Sequence, residues 1–309
     1  MIDVDTFLTT LYVMVDDFCQ EHLGPEPRSR GPVPSLSRSE VVTLGMFAQF
    51  WRFRSERDFY RYAQAHLRPW FPRLPDLSQF NRLMRRHYEA VVQFFLYLAD
   101  LLKARENLYE VIDTAGVPVR NVKRRGRNWL AGLANVGYCS RLGWFFGFKA
   151  LLSVTPSGVI TGFGFGQGSE KDQPLAETFF AVRRFPDARL LTVGKPAFGL
   201  YIADSGFIGR ERQRLWASLY HAQVITVPPH SSQHSWPKKL RRWFHGIRQI
   251  VETVIHKLQD WFSLDRERPH ALSGFQVRLA AKVALHNFCI WLNLQHDRQP
   301  LAFADLLDW

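Results

Sequence analysis

With 309 residues, 46% of them hydrophobic, the chain can fill the core of one large domain or of two ordinary ones, which excludes a disordered tail. Forty Lys and Arg against 28 Asp and Glu leave a formal charge of +12 and a pI near 9.9, so a polyanionic partner is expected, nucleic acid ahead of anionic membrane. No apolar run of roughly eighteen residues escapes a charge, and the opening MIDVDTFLTTLYVMVDDF is acidic where a signal peptide is basic, so no membrane partner is read and a cytoplasmic location is expected.

Residues 1 to about 105 read as an all-helical N-terminal domain, with apolar residues at helical spacing near 4–20, 38–52, 56–66 and 78–104. Ser37 and Ser39 before Val41, and Ser78 before Phe80, are the start signals. Proline-rich stretches at 24–34 and 69–75 separate the pieces. Arg52, Arg54, Arg57, Arg61, Arg82, Arg85 and Arg86 lie among them, so the module either binds DNA or is a cationic bundle that only packs on its neighbour.

After Asn107 the apolar runs shorten and become rich in β-branched and aromatic residues, predicting strands at 108–113, 144–154, 158–166, 199–204 and 222–227, with a hairpin turn at Pro156-Ser157-Gly158. Helical patterns follow at about 172–184, 209–219, 238–263 and 271–296. Strands first, then alternating helix and strand, then helices, is a mixed α/β layout for residues 106–309. Cys19, Cys139 and Cys289 are far apart and never form a CxxC pair, so they read as buried thiols and not as a disulfide or zinc framework.

Two aspartates close apolar runs in the same way. Asp113 follows Leu-Tyr-Glu-Val-Ile and precedes Thr114-Ala115-Gly116; Asp204 follows Leu-Tyr-Ile-Ala and precedes Ser205-Gly206. An acid at the end of a buried strand, with small residues beyond it, sits at the lip of a sheet where ligands and metals reach it, although an Asx-turn or a helix cap explains either one alone. Glu252 lies off the apolar stripe of Ile247, Val251, Val254, Leu258 and Trp261, on a flank with Arg241, Arg248 and Gln259 and beside His245 and His256. Taken alone, an ordinary i, i+4 pair of Arg248 with Glu252 on a solvated face accounts for it.

The distribution of charge favours a site. No acid occurs between Asp113 and Glu170, while Arg120, Lys123, Arg124, Arg125, Arg127, Arg141 and Lys149 do. Between Asp204 and Glu252 the only acid is Glu211, against Arg210, Arg212, Arg214, Lys238, Lys239, Arg241, Arg242 and Arg248. Isolated carboxylates in cationic sequence suit a site that holds divalent metal while Lys and Arg bind a phosphodiester backbone. His221, His230 and His234 have no metal-ligand spacing that includes acids or cysteines.

On these residues, 108–296 resembles the catalytic domain of the DDE transposases of bacterial insertion sequences. Ile112-Asp113-Thr114 with Val117-Pro118-Val119, the basic stretch 121–128, Trp144-Phe145-Phe146-Gly147-Phe148-Lys149 and Ala203-Asp204-Ser205-Gly206-Phe207 match its motifs in order. In the glutamate helix Arg248 and Glu252 fit, while His245 stands where Tyr is expected and Gln259 where Lys is, with Lys257 a substitute. Residues 278–287, RLAAKVALHN, resemble the closing helix of the family.

The resemblance implies an RNase H-like mixed sheet flanked by helices, and an enzyme that cleaves and joins DNA strands. Its metals would be two Mg²⁺ ions, with Mn²⁺ as a substitute, held by Asp113, Asp204 and Glu252, Asp113 bridging both. Asp172, just past a strand, is a second-tier candidate that helix N-capping explains as well. Double-stranded DNA, both transposon ends and target, would contact Arg120, Lys123, Arg124, Arg125, Arg127, Lys149, Lys238, Lys239, Arg241, Arg242 and Arg248. A homodimer synapsing two ends and a nucleoid-associated, cytoplasmic location are implied too. The 48 positions between Asp204 and Glu252 leave no room for the β-domain that some relatives insert. A non-catalytic or decayed DNA-binding protein, and a metal nuclease of the same fold, stay as alternatives.

Overall fold

The computed structural model describes residues 1–26, 34–120, 130, 132–185, 193–194, 199–228 and 235–309. In chain order its elements are β1 (Ile2–Asp3), α1 (Val4–His22), α2 (Arg38–Phe47), α3 (Glu56–Tyr62) running into a π-helical turn (Ala63–Leu67), α4 (Leu77–Arg86), α5 (Tyr88–Leu101), β2 (Glu110–Arg120), β3 (Asn135–Cys139), β4 (Gly143–Val154) and β5 (Ile160–Gln167). Then come α6 (Asp172–Arg184), β6 (Val193–Gly194), β7 (Leu200–Ala203), α7 (Arg210–Tyr220), β8 (Gln223–Thr226), α8 (Lys238–Asp260), α9 (Leu272–Gln295) and β9 (Leu307–Asp308). None of the described helices is long and apolar enough to cross a membrane.

Contacts gather into two compact units, Met1–Leu98 with Asp260–Ser263 and Ala271–Trp309, and Ala99–Gln259 with Leu264–His270. The division at 105/106 expected from composition puts α9 in the second part of the chain, whereas its packing against α2 and α4 groups it with the N-terminal helices. Sequence texture follows secondary-structure type; it does not register which apolar stripe a late helix covers.

In the first unit the core is largely aromatic. Phe7 of α1 meets the rings of Phe47, Phe50 and Phe288 at centroid distances of 6.0, 5.4 and 5.3 Å. Ser37 starts α2 through a capping box: its hydroxyl accepts from the Glu40 N–H, and the Glu40 carboxylate accepts from the Ser37 N–H. Ser39 is buried instead. The start of α4 is set by Asp76, which accepts from the N–H groups of Ser78 and Gln79, so Ser78 is inside the helix and not its cap. The continuous helix expected over 78–104 is two helices broken at His87, a buried residue whose Nε2 lies 4.0 Å from the Glu26 carboxylate. Cys19 and Cys289 are buried as expected, while Cys139 is only half-buried.

The second unit is built on a seven-stranded mixed sheet of order β6-β5-β4-β2-β7-β8, with β3 also paired to β4. Strands β2, β4, β5 and β6 are antiparallel neighbours, and β2, β7 and β8 are parallel. With α6, α7 and α8 around it, this is the RNase H-like arrangement. Ile112, Leu151, Phe179, Phe180, Tyr201, Phe207 and Trp216 form the core between the sheet and α6 and α7. Burying each such side chain contributes roughly 1.5–3 kcal/mol. The hairpin turn at 156–158 is present: the Thr155 N–H donates to the Val159 carbonyl at 2.9 Å, and Gly158 has φ +87°.

Two strand expectations change. The first strand does not end at Asp113 but runs to Arg120, because β4 pairs along its whole length, from Val111 opposite Val154 to Arg120 opposite Phe146. Thr114-Ala115-Gly116 looks like a strand terminus by propensity, and the ladder overrides it. Strands β3 and β6, short and paired at the flanks of β4 and β5, were outside the sequence pattern.

Candidate active site

The parallel ladder between β2 and β7 brings the two aspartates together. Glu110 is level with Tyr201 and Val111 with Ile202. Continuing that register two positions sets Asp113 level with Asp204, on neighbouring strands about 4.8 Å apart. At that point β7 ends, and Asp204 caps the next turn by accepting from the Gly206 N–H at 2.8 Å. The Asx-turn alternative is therefore present at Asp204 together with its place beside Asp113; a carboxylate can serve both.

Glu252 arrives through α8. Val251, Val254 and Leu258 are buried, as the stripe predicts, and Glu252 is 53% exposed on the flank. Arg248, one turn earlier, donates from Nη2 to Asp113 Oδ2 at 3.0 Å, and the same nitrogen is 3.8 Å from Glu252 Oε1. One nitrogen reaching both oxygens keeps them within about 7 Å of each other, inside the span that a metal pair bridges.

A fourth acid shares the site. Asp172, the first residue of α6, accepts at Oδ1 from the Thr114 hydroxyl at 2.9 Å and from Lys149 Nζ at 3.2 Å. A side chain on Gly206 would collide with Asp172 Oδ2 and stand 3.0 Å from Asp204 Oδ1, so these two carboxylates flank one point. The cap position of α6 is Lys171, which makes no side-chain cap bond. Asp172 is instead the acid of the first helical turn, a position that the helix dipole favours.

Electrostatics record this crowding. Burial, and then the neighbouring Asp204 carboxylate, push Asp113 up to about 6, against the opposing pull of Arg248 and the Thr114 N–H. Asp204 is raised chiefly by burial; Gly206 and Arg248 oppose this, while Asp172 and Glu252 add to it. The donor set is carboxylate oxygen, which suits Mg²⁺ or Mn²⁺ and not a soft metal. Among the described residues no three His, Cys, Asp or Glu side chains already stand at the spacing of a closed metal site. Arg248 is the cation that contacts both Asp113 and Glu252.

A family described as "Transposase DDE domain" matches residues 111–288, more than half of the chain. The chain belongs to the DDE transposase family. DDE transposases are polynucleotidyl transferases and endonucleases that act on DNA and generally use divalent metals, so the carboxylate chemistry agrees with the family. The match spans β2 to α9 and includes Asp113, Asp172, Asp204 and Glu252.

One curated protein also shows similarity, an L-lactate dehydrogenase of Bartonella quintana (strain Toulouse), 26% identical over 113 residues. That stretch is 35% of this chain and 29% of the dehydrogenase, so the chain spans less than a third of that relative's length. The Gly162, Gly164, Gly166 and Gly168 run does not make a dinucleotide-binding turn, since its first three glycines are inside β5, paired to β4. No solved structure matches the chain.

The basic residues read from the sequence are distributed unevenly. Lys123, Arg124, Arg125 and Arg127 lie outside the described residues. Lys238, Lys239 and Arg242 are exposed on the first turns of α8, and Arg241 and Arg120 are half-buried. Lys149 faces Asp172, and Arg248 faces Asp113, so both act on the carboxylates of the site. Gln259, expected on the flank with Glu252, is buried and bonded by Arg141 Nη1; a Lys at this position would be a buried charge. Sequence reasoning missed Thr114, whose hydroxyl is aimed at Asp172, because a Thr beside an acid carries no distinguishing pattern.

Proposed function

We propose that this DDE transposase carries out metal-dependent cleavage and strand transfer at the ends of an insertion sequence, with Asp113, Asp204 and Glu252 as the metal-holding carboxylates. The observation that carries the reading is the ladder register setting Asp113 beside Asp204, with Arg248 tying Glu252 to the same place. Two Mg²⁺ ions, or Mn²⁺ in their stead, would supply nucleophile activation and leaving-group stabilisation. Asp113, with Asp204 beside it and Glu252 tied to it through Arg248, would hold the ions together with those two acids. Arg248 holds Asp113 and Glu252 in place. The exposed Lys238, Lys239 and Arg242, together with Arg120, Arg241 and the 123–127 stretch, bind backbone phosphate.

The N-terminal helices supply recognition of the DNA end, and two copies synapse two ends as a homodimer in the bacterial cytoplasm. The test uses purified protein and DNA carrying the inverted repeats that flank its coding sequence. In Mg²⁺ the ends are cut and joined to a target plasmid, and EDTA stops both steps. Binding without cutting would mean a non-catalytic protein, and cutting without joining a nuclease.

A further inference from the structure

We propose that α4 lies in the major groove of the DNA end, where Arg82 and Arg85 on its exposed face read base edges while Arg61, Arg68 and Arg73 hold flanking phosphates. This rests on the reading above that the N-terminal helices recognise the end, and deepens it by naming the element and its mode of contact.

Charge is the first support. Between Asp58 and Glu89 the only acid is Asp76, against Arg61, Arg68, Arg73, Arg82, Arg85 and Arg86. All six arginines are exposed. The nearby acids are engaged elsewhere: Asp76 caps α4 by accepting from the Ser78 and Gln79 N–H groups at 2.9 and 3.1 Å, and Glu56 is bonded by Asn81 Nδ2 at 3.0 Å and by Arg278. A cationic face left in this state suits a polyanion.

Helix α4 is also sharply two-sided. At about 100° per residue, Ser78, Arg82, Arg85 and Arg86 fall on one stripe, while Phe80, Leu83 and Met84 are buried on the other side. Arg82 and Arg85 point most directly away from that buried side, each within about 30° of its opposite. Ten residues make a rod of about 15 Å, and a groove of about 12 Å admits a helix with its side chains.

The stripe is presented rigidly. The Phe80 ring packs 6.1 Å from Phe59 of α3, and α4 lies so close to α2 that a side chain on Gly45 would collide with Met84. Tyr60 donates its hydroxyl to the Pro75 carbonyl at 2.6 Å, fixing the chain just before the Asp76 cap. Two arginines held on such a face lose little freedom on binding. No lysine precedes Lys103, so this face is made of guanidinium groups, whose planar fork matches guanine O6 and N7.

Fluorescence anisotropy of the full-length protein in EDTA tests this with no metal step, using one duplex with the inverted repeat that flanks the coding sequence and one of scrambled sequence. Arg82→Lys with Arg85→Lys keeps the charge and loses the fork. Its preference for the repeat is expected to fall on the order of ten-fold or more, with the slope of log affinity against log salt unchanged. Arg61→Gln, Arg68→Gln and Arg73→Gln together are expected to weaken both duplexes alike and to reduce that slope by about 2–3. Methylating guanine N7 in the repeat should block the wild type at the bases read, and the double lysine variant should be indifferent to it. If that variant keeps the wild-type preference, or loses affinity for both duplexes equally, α4 reads no bases and the proposal is overturned, while recognition of the end by the N-terminal helices stands. If the wild type binds both duplexes equally, end recognition falls and this inference with it. Should the double variant not fold, Arg82→Lys alone decides by the same preference.

Discussion

Replacing Glu252 by glutamine separates a catalytic carboxylate from a helix-surface ion pair, because the two roles predict opposite balances between stability and activity. Structurally little is at stake. Glu252 is more than half exposed, its partner Arg248 Nη2 is 3.8 Å away, and that nitrogen keeps its 3.0 Å contact to Asp113 after the change. An exposed i, i+4 pair contributes about 0.2–0.5 kcal/mol, and Gln matches Glu in helix propensity, so the unfolding free energy should change by less than about 0.5 kcal/mol. Chemically the loss is large. Removing a metal-holding charge removes nucleophile activation and leaving-group stabilisation together, several kcal/mol of barrier, or on the order of a thousand-fold in rate. Urea unfolding and cleavage of a cognate end in Mg²⁺ are measured side by side. Glu211→Gln, an exposed acid on α7, is the control. If Glu252→Gln cuts as fast as Glu211→Gln, the glutamate is a surface residue and the three-acid site is wrong.

Three further outcomes are expected. Asp113 is raised from 3.8 to about 6, so the native state binds its proton more tightly than the unfolded chain does, and its contribution to stability is present at low pH and lost as pH rises through 6; Asp113→Asn should therefore raise stability above pH 7 by on the order of 1–2 kcal/mol while abolishing cleavage, and a destabilised variant at pH 8 would refute the reasoning. Neutralising Lys123, Arg124, Arg125 and Arg127 should reduce the slope of log affinity against log salt by about 3–4 for DNA of any sequence, and an unchanged slope would assign the stretch elsewhere. Glu110 and Arg183 form a double contact with only 1% exposure of either side chain; Glu110→Gln leaves a buried guanidinium short of its counter-charge and should cost about 3–5 kcal/mol by urea unfolding, whereas a loss below 1 kcal/mol would show that the pair is dispensable.

The sequence alone was sufficient for whatever depends on local periodicity and chemistry. Helix α6 spans Asp172–Arg184, as its apolar spacing predicts, and α7 and β8 fall within a residue or so of expectation, because an amphipathic period is written in consecutive residues. The isolation of Asp113, Asp204 and Glu252 in basic sequence likewise needs no coordinates. What the tertiary structure decided are pairings between distant segments. Strand β2 continues past Asp113 only because β4 lies beside it, and Asp113 meets Asp204 only through the parallel register of β2 with β7. Asp172, a second-tier candidate that helix capping explains as well, is joined to Thr114 and Lys149 of the sheet only in the folded chain. Gln259 reads as part of the flank that carries Glu252, yet neighbours that no sequence window contains bury it. Local propensities differ by fractions of a kcal/mol per residue, while ladder pairing and burial act over whole elements, so where the two disagree the long-range contacts prevail.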